Sequence, residues 1–187
     1  MSKWSKKRRV MRRYDQSAKV YDAQYCEEQD AKIRTAMGNL TLNRDSIVLD
    51  AGCGTGLLFE RVAEKIGFTV GIDASRGLLK EARKKAKLYE KVALVLADAD
   101  NMPFANYTFD AVFAITLLQN MPCAVATLNE IKLVSKSEAK IVVSGLRKAF
   151  TEDEFSKMLK RADLKVAVLK LDEQLREYIA VCFKTRR

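Results

Sequence analysis

The sequence predicts an α/β fold with a doubly wound, mostly parallel sheet, and two observations carry this prediction. Short apolar runs rich in β-branched residues alternate with amphipathic segments along residues 46–145, an order typical of parallel strands covered by helices on both faces. The last two apolar runs, 164–172 and 176–184, are separated by only a short turn. That spacing predicts a C-terminal antiparallel hairpin that closes one edge of the sheet.

The alternation assigns each element in turn. Two helices are expected before the first strand, over residues 14–25 and 27–40. Five strands are predicted from apolar, β-branched runs, at 46–51, 68–73, 92–97, 110–116 and 139–145. Helical periodicity predicts the helices that follow, at 57–66, 75–90, 124–135 and 151–162. The helix over 75–90 begins after Ser75, a residue type that commonly caps a helix N-terminus.

Composition indicates one globular domain. The chain has 187 residues, of which 48% are hydrophobic, enough to build a full core. No apolar run approaches the roughly 20 residues needed to span a bilayer. The N-terminus is basic but has no apolar stretch of the kind found in secretory signals. We therefore expect a cytoplasmic protein.

The cysteine and histidine content excludes several kinds of site. The four cysteines are scattered without a CxxC pair, and the sequence has no histidine: Cys26, Cys53, Cys123 and Cys182. A zinc site, a disulfide framework and a Ser–His or Cys–His nucleophile are therefore not expected, and no metal is assigned. We expect Cys123 to be a small buried residue, and Cys53 to have no redox role.

The net charge of +10 is concentrated at the two ends of the chain. Ten cations account for the whole excess: Lys3, Lys6, Lys7, Arg8, Arg9, Arg12, Arg13, Lys184, Arg186 and Arg187. Residues 1–13 are therefore interpreted as a basic N-terminal arm, followed by a single domain over 14–187. Two basic ends on a neutral domain favour a polyanionic partner, although a merely solubilising tail is the alternative.

The segment VLDAGCGTG, residues 48–56, is the first candidate for a site. Its three glycines follow a buried strand, and glycine allows backbone angles and close ligand approach that a Cβ would block. The spacing GxGxG does not match the dinucleotide fingerprint. Asp73 ends the second strand, 21 residues after Gly52, where a carboxylate can accept hydrogen bonds from ribose hydroxyls. Asp98 follows the third strand, where it can meet an adenine edge.

Together these segments resemble the class I S-adenosylmethionine-dependent methyltransferases. The resemblance rests on VLDAGCGTG, GIDAS (71–75), LADADNMPF (96–104) and FDAVFAITLLQN (109–120), and it extends over roughly residues 14–183. It implies a seven-stranded sheet whose final strand is antiparallel. The implied cofactor is S-adenosylmethionine, and matching by position assigns its contacts to Tyr14, Tyr21, Asp50, Gly52, Gly54, Asp73, Ala74, Asp98, Ala99 and Thr116.

The resemblance also implies individual roles. Gly52 and Gly54 would pack against the amino-acid part of the cofactor, in a region anchored by Asp50. Asp73 would hold the ribose, and Asp98 the adenine amino group, with the backbone of Ala99 against the ring. The lid-like segment 14–25 would place Tyr14 and Tyr21 over the methionine end. Alternatively, these two tyrosines share a helix face and simply pack on the core.

The acceptor site is expected just after the fourth strand. Thr116, Gln119 and Asn120 are the polar groups there that can orient an acceptor, and they are our candidate catalytic residues. Alternatively, Gln119 and Asn120 cap the next helix. Many amine methyltransferases carry Asn-Pro-Pro-aromatic at this point, whereas this chain has Ile-Thr-Leu-Leu over 115–118. This departure leaves the acceptor atom open.

Two substrate classes remain. The first is an RNA base methyltransferase that acts on rRNA or tRNA, resembling small archaeal-type enzymes that include cytidine N4 methyltransferases. This class is favoured by the basic arm, by Trp4 as a stacking side chain, and by the tail. A basic run at Arg83, Lys84, Lys85 and Lys87 adds to this charge. The alternatives are a small-molecule methyltransferase of the quinone kind and a non-catalytic methyltransferase-like subunit. A small activator subunit is a further partner to consider.

Overall fold

A computed structural model describes residues 2–172 and 177–185. Within these ranges, seven strands form one sheet: β1 (Ile47–Ala51), β2 (Phe68–Asp73), β3 (Val92–Leu96), β4 (Phe109–Ala114), β5 (Ser135–Leu146), β6 (Leu164–Asp172) and β7 (Glu177–Lys184). The same ranges contain six α-helices: α1 (Lys3–Ser17), α2 (Tyr21–Met37), α3 (Phe59–Val62), α4 (Arg76–Ala86), α5 (Ala124–Val134) and α6 (Glu152–Arg161).

The sheet topology confirms the predicted fold class. The strand order is β3-β2-β1-β4-β5-β7-β6. The first five strands pair in parallel, whereas β7 runs antiparallel to both β5 and β6. The predicted hairpin therefore exists, with β6 at the sheet edge and β7 inserted beside β5. Its turn, like Arg186 and Arg187 of the basic tail, lies outside the described residues.

Several element boundaries differ from the sequence-based prediction. The helices predicted over 14–25 and 27–40 are α1 and α2 instead, because the first helix already begins at Lys3 and the break falls in a 3₁₀ turn at Ala18–Val20. The helix expected over 57–66 is reduced to α3, because tight turns precede it; the Gly56 N–H donates to the carbonyl oxygen of Cys53 at 2.8 Å. Strand β5 begins at Ser135 rather than at 139, since Ser135 already pairs with Phe109 of β4. Cys123 is exposed, so the expectation of a buried residue there was wrong.

The basic N-terminal arm is helical. Helix α1 begins at Lys3, and the side-chain oxygen of its N-cap Ser2 accepts a hydrogen bond from Ser5 N at 3.2 Å. It continues without a break through Tyr14 to Ser17, and the 3₁₀ turn Ala18–Val20 leads into α2. No side chain of α1 is fully buried. Among the residues that the structure describes, no helix combines the length and apolarity needed to cross a membrane.

A buried ion pair joins α2 to β7. The side chains of Lys32 and Glu177 are both fully buried, and Lys32 Nζ lies 3.1 Å from Glu177 Oε1. Lys32 also contacts Glu28 Oε1 at 2.6 Å. Burial raises the pKa of Glu177, and the positive charge of Lys32 opposes this shift. The pair fixes the N-terminal helices against the C-terminal strands.

We expect Lys32→Met to lower the free energy of unfolding by about 3–5 kcal/mol, because it leaves Glu177 buried without its cation. The double variant Lys32→Met/Glu177→Gln should be more stable than this single variant, since no unpaired charge remains. Urea denaturation measures both. As a control, Lys157→Met breaks the exposed Lys157–Asp153 pair and should cost less than about 1 kcal/mol. Equal losses for the two single variants would contradict a structural role for the buried pair.

Candidate functional site

A cavity of about 390 Å³ lies where the first four parallel strands end. Each strand contributes residues at or just beyond its carboxyl end: Gly52 after β1, Asp73 in β2, Asp98 after β3 and Thr116 after β4. Helix α1 borders the cavity from the other side. This is the edge at which doubly wound sheets bind their ligands.

The glycine loop after β1 presents its backbone to the cavity. Gly52 and Gly54 have φ values of +76° and +56°, in the left-handed region that favours glycine. A Cβ at Gly54 would meet no protein atom within 4 Å, so that position opens into free space. The Gly54 N–H donates to Asp73 Oδ2 at 3.0 Å. The loop is therefore shaped as a cradle that any side chain would fill.

Asp73 is held by two backbone donors. Its Oδ1 accepts from Ser75 N at 2.8 Å, and its Oδ2 accepts from Gly54 N. Burial raises the pKa of Asp73, and these N–H bonds oppose the shift. Each carboxylate oxygen has a second lone pair for another donor. Asp73 can thus accept two further hydrogen bonds from a ligand that carries neighbouring hydroxyls.

Asp50 occupies a different position from the other predicted cofactor residues. It lines a smaller cavity of about 40 Å³ that shares Tyr21, Gly52 and Gly54 with the large one. Burial, followed by the charge of Asp73, raises the pKa of Asp50 to about 8. Burial therefore favours the protonated form of Asp50.

Asp98 is paired with a cation from α1. Lys7 Nζ lies 2.8 Å and 2.6 Å from the two carboxylate oxygens of Asp98, and 2.5 Å from Asp100 Oδ2. Burial lowers the pKa of Lys7, but hydrogen bonds to Asp100 and Asp98 outweigh it, so that the net shift is upward. No sequence pattern indicates this pairing, because Lys7 and Asp98 lie 91 residues apart.

A second contact that anchors α1, made by Asp15, was also not predicted from the sequence. Asp15 Oδ1 accepts from Ser75 Oγ at 2.6 Å and from Gly77 N at 2.8 Å. This carboxylate lies near the end of α1 and meets the first turn of α4. With Lys7 bound near its start and Asp15 near its end, α1 is attached at both ends beside the cavity.

The acceptor end of the cavity is organised around Thr116. This residue has a left-handed φ of +58°, and its N–H donates to Ser144 Oγ at 2.8 Å. Its hydroxyl donates to Gln29 Oε1 at 3.1 Å and accepts from Lys32 Nζ at 3.2 Å. Thr116 thus connects the cavity to the buried Lys32–Glu177 pair.

Asn120 lines the cavity, and its side-chain amide is held on both sides. Its Nδ2 donates to Thr116 O at 2.9 Å and to the Tyr14 hydroxyl at 3.1 Å. Its Oδ1 accepts from Arg13 Nη2 at 3.0 Å. The amide is therefore fixed in orientation at the wall of the site.

Gln119 is placed differently from Asn120. Its amide atoms are buried, have no hydrogen-bond partner among the described residues, and do not line the cavity. The N-cap of α5 is Cys123, without a side-chain capping bond, so neither Gln119 nor Asn120 caps that helix. Of the three candidate catalytic residues, the structure brings Thr116 and Asn120 together and leaves Gln119 apart.

The other predicted cofactor residues border the large cavity. Besides Gly52, Gly54, Asp73, Asp98 and Thr116, the lining includes Tyr14, Tyr21, Ala74 and Ala99. Trp4, which the sequence suggested as an RNA-stacking side chain, also lines the cavity, and it is 53% exposed. Among residues 2–172 and 177–185, no cluster of three or more metal-ligating side chains is found.

Comparisons with known proteins relate this chain to methyltransferases. A family model described as "Methyltransferase domain" matches residues 48–138. The chain is 31% identical over 161 residues to the aklanonic acid methyltransferase DauC of Streptomyces sp. (strain C5), covering 81% of this chain and 68% of that protein. It is 32% identical over 112 residues to a demethylmenaquinone methyltransferase of Staphylococcus saprophyticus, covering 58% of this chain and 48% of the relative. The chain spans about half the length of the malonyl-[acyl-carrier protein] O-methyltransferase and demethylmenaquinone methyltransferase relatives that it matches.

A solved structure shares the whole fold. The methyltransferase in a complex with the Haloferax volcanii Trm112 methyltransferase activator superposes with a TM-score of 0.84, covering 95% of this chain and 98% of that chain. The two sequences are only 15% identical. The similarity therefore establishes a common fold.

The raised pKa of Asp50 predicts a pH dependence of stability. An unfolded aspartate loses its proton near pH 4, whereas folded Asp50 keeps its proton up to about pH 8. Between these values the folded state binds the extra proton, so its stability should fall as pH rises, by at most about 1.4 kcal/mol per pH unit from this group. Asp50→Asn should flatten the dependence, as measured by urea denaturation from pH 5 to pH 8.

The exposed Asp45 supplies the matched control for this measurement. Asp45→Asn should leave the pH dependence as it is in the unsubstituted protein. If Asp50→Asn and Asp45→Asn gave the same slope, the proton on Asp50 would not be the cause.

Proposed function

Because the chain belongs to the class I S-adenosylmethionine-dependent methyltransferases, we propose that it binds S-adenosylmethionine in the large cavity and methylates a base of ribosomal or transfer RNA. The exocyclic N4 amine of cytidine is the candidate acceptor atom. The observation that carries the RNA part is the division of α1 into two faces. Its inner side chains line the cavity, and its outer side chains are cations.

The cavity residues fit the cofactor. The side-chain-free cradle at Gly52 and Gly54 accommodates its amino-acid part, and Asp73 accepts from its ribose hydroxyls. Asp98, with the backbone of Ala99, borders the position of the adenine. When bound, S-adenosylmethionine supplies a methyl group that its sulfonium already activates for transfer. The protein must therefore mainly position the acceptor and exclude water.

Thr116 and Asn120 are suited to position the acceptor. Asn120 Oδ1 accepts one hydrogen bond from Arg13 and has a second lone pair for an amine N–H. Thr116 holds Asn120 through its carbonyl oxygen. Helix α1, attached by Lys7 and Asp15, borders the same space and limits the access of water.

The charge of α1 supports an RNA acceptor. No carboxylate occurs in residues 2–14, and five cations of α1 are solvent-exposed: Lys3, Arg8, Arg9, Arg12 and Arg13. Lys6 and Lys7 are engaged by the fold itself, since Lys6 Nζ donates to Met121 O at 2.6 Å and Lys7 binds Asp98. Arg13 donates to Asn120 Oδ1, whereas Lys3, Arg8, Arg9 and Arg12 remain available for phosphates beside the site.

The dimensions of the site also favour an acceptor that enters from outside. A volume of about 390 Å³ is near the lower end of the range for ligand pockets, roughly 300–1,000 Å³. A bound cofactor leaves little room there for a second large molecule. The connection between β5 and α6 comprises only residues 147–151, too few to cover a bulky substrate. An RNA base brings only its ring into the site, and the rest of the polymer stays outside, so it needs no cover.

A small-molecule acceptor is the second candidate. It is favoured by the curated relatives, whose names include a demethylmenaquinone methyltransferase and an aklanonic acid methyltransferase. The structural neighbour found with the Trm112 activator supports a small protein subunit as a further proposed partner.

The cofactor proposal predicts the effect of Asp73→Asn. The substitution removes the negative charge that accepts from the ribose, and one of the two acceptor oxygens. We expect the affinity for S-adenosylhomocysteine to fall by about tenfold to a hundredfold. Isothermal titration calorimetry measures it, with Asp45→Asn as a charge-matched control that should bind like the unsubstituted protein. An unchanged affinity in folded Asp73→Asn would remove Asp73 from the site.

The RNA proposal predicts the effect of an outer-face variant, Arg8→Gln/Arg9→Gln/Arg12→Gln. Each cation that no longer neutralises a phosphate of single-stranded RNA should lower the log–log salt slope of binding by about 0.7, so the slope should fall by up to about 2. The affinity for S-adenosylhomocysteine should stay the same, because these three side chains do not line the cavity. Filter binding across a salt series gives the slopes.

The control for this experiment removes the same number of positive charges at the other end of the parallel strands, away from the cavity. Arg44, Lys65 and Lys91 are exposed and precede β1, β2 and β3. Their triple substitution by Gln should leave the RNA salt slope unchanged. Equal slopes for both triple variants would favour the small-molecule acceptor. Mass spectrometry of RNA nucleosides after incubation with deuteromethyl S-adenosylmethionine identifies the methylated base.

A further inference from the structure

Three tyrosine rings and one guanidinium form a row that begins at the wall of the cavity. The ring centroids of Tyr14 and Tyr21 are 6.1 Å apart in an edge-to-face arrangement, and those of Tyr21 and Tyr25 are 5.0 Å apart. Arg13 Cζ lies 4.8 Å from the centroid of the Tyr14 ring. We call Tyr14, Tyr21 and Tyr25 the tyrosine row.

The tyrosine row extends from Asn120, a residue proposed to position the methyl acceptor, to the protein surface. At its inner end, the Tyr14 hydroxyl accepts from Asn120. Tyr21, in the middle, lines both the large and the small cavity. Tyr25, at the outer end, lines neither cavity and is 41% exposed.

Helix geometry places Tyr25 on the side of the acceptor residues. Gln29 and Lys32 follow Tyr25 by four and seven residues along α2, and this spacing puts the three side chains on one face. Gln29 and Lys32 both contact Thr116. The exposed ring of Tyr25 is thus directed along the face of α2 that meets the end of β4.

The chemistry of this rim suits a planar group linked to phosphates. An exposed aromatic ring offers a stacking surface to any nucleobase, and an arginine over a neighbouring ring adds cation–π and phosphate contacts. Glu28, three residues after Tyr25, is paired with Lys32 at 2.6 Å, and Lys32 also pairs with Glu177. The charge of Glu28 is therefore offset in part, so that it repels an RNA backbone less.

We infer that Tyr25, supported from behind by Tyr21, stacks a base of the single-stranded RNA segment that carries the acceptor nucleotide. This inference rests on the proposed RNA function and adds a recognition residue to it. Tyr25 touches neither the cavity nor the reacting atoms, so its role is to hold the RNA in register. Arg13 and the outer cations of α1 hold the phosphates, whereas Tyr25 holds a base.

The test separates base stacking from phosphate binding. Binding is measured by fluorescence anisotropy with a 12-nucleotide single-stranded RNA of mixed sequence, and with an abasic ribose-phosphate oligomer of the same length. Tyr25→Ala should bind the RNA at least about fivefold more weakly, whereas Tyr25→Phe, which keeps the ring, should bind within about twofold of the unsubstituted protein. Binding of the abasic oligomer should be the same for all variants.

Phe68→Ala is the matched control. Phe68 is 38% exposed, close to the 41% of Tyr25, and begins β2, at the end of the strand opposite the cavity. Its substitution should leave RNA binding unchanged. The affinity for S-adenosylhomocysteine and the urea midpoint establish that each variant is folded; if Tyr25→Ala is unfolded, Tyr25→Leu replaces it with the same expected weakening.

The outcomes distinguish the inference from the function on which it rests. Unweakened RNA binding by folded Tyr25→Ala, or an equal weakening on the abasic oligomer, would overturn the stacking role while leaving the RNA acceptor in place. If the unsubstituted protein bound S-adenosylhomocysteine but not RNA at low salt, the RNA acceptor itself would be overturned, and with it this role of Tyr25.

Discussion

The N–H groups of Gly52 and Cys53 both donate to the carbonyl oxygen of Ile72 at 2.8 Å, and the geometry of the site depends on this clamp. These two hydrogen bonds hold the loop after β1 against the end of β2. The loop can adopt this conformation because Gly52 has a left-handed φ. The next N–H, of Gly54, then reaches Asp73. Loop and carboxylate are consequently fixed relative to each other before any ligand binds, and such preorganisation lowers the entropic cost of binding.

The charge of the N-terminal helix serves two separate purposes. Helical periodicity divides α1 into an inner and an outer face. Lys6 and Lys7 turn inward and are bound by Met121 and Asp98, so they contribute to the closed shape of the cavity and not to a polyanion surface. Arg8, Arg9 and Arg12 remain exposed. Fewer positive charges of the arm are therefore available to a partner than the sequence count suggests.

A buried polar network links the C-terminal strands to the acceptor end. Glu177 pairs with Lys32, Lys32 donates to Thr116, and Thr116 O accepts from Asn120. Removing such charges from water is expensive, and only good geometry offsets that cost. Each member therefore constrains the next, and the left-handed φ of Thr116 is held in place by partners from three different elements.

The sequence by itself determined the strand and helix order, the glycine cradle and the cap of α4. Predicted strand 68–73 coincides with β2, and Ser75 accepts from Leu78 N. These features depend on residues close along the chain, whose patterns are visible in the sequence. Only the tertiary structure decided that Lys7 binds Asp98 and that Asn120, not its neighbour Gln119, lines the cavity. Pairings across 91 residues depend on how separate elements meet, and so does the direction of one side chain in the 3₁₀ turn Leu118–Asn120. No local pattern encodes either.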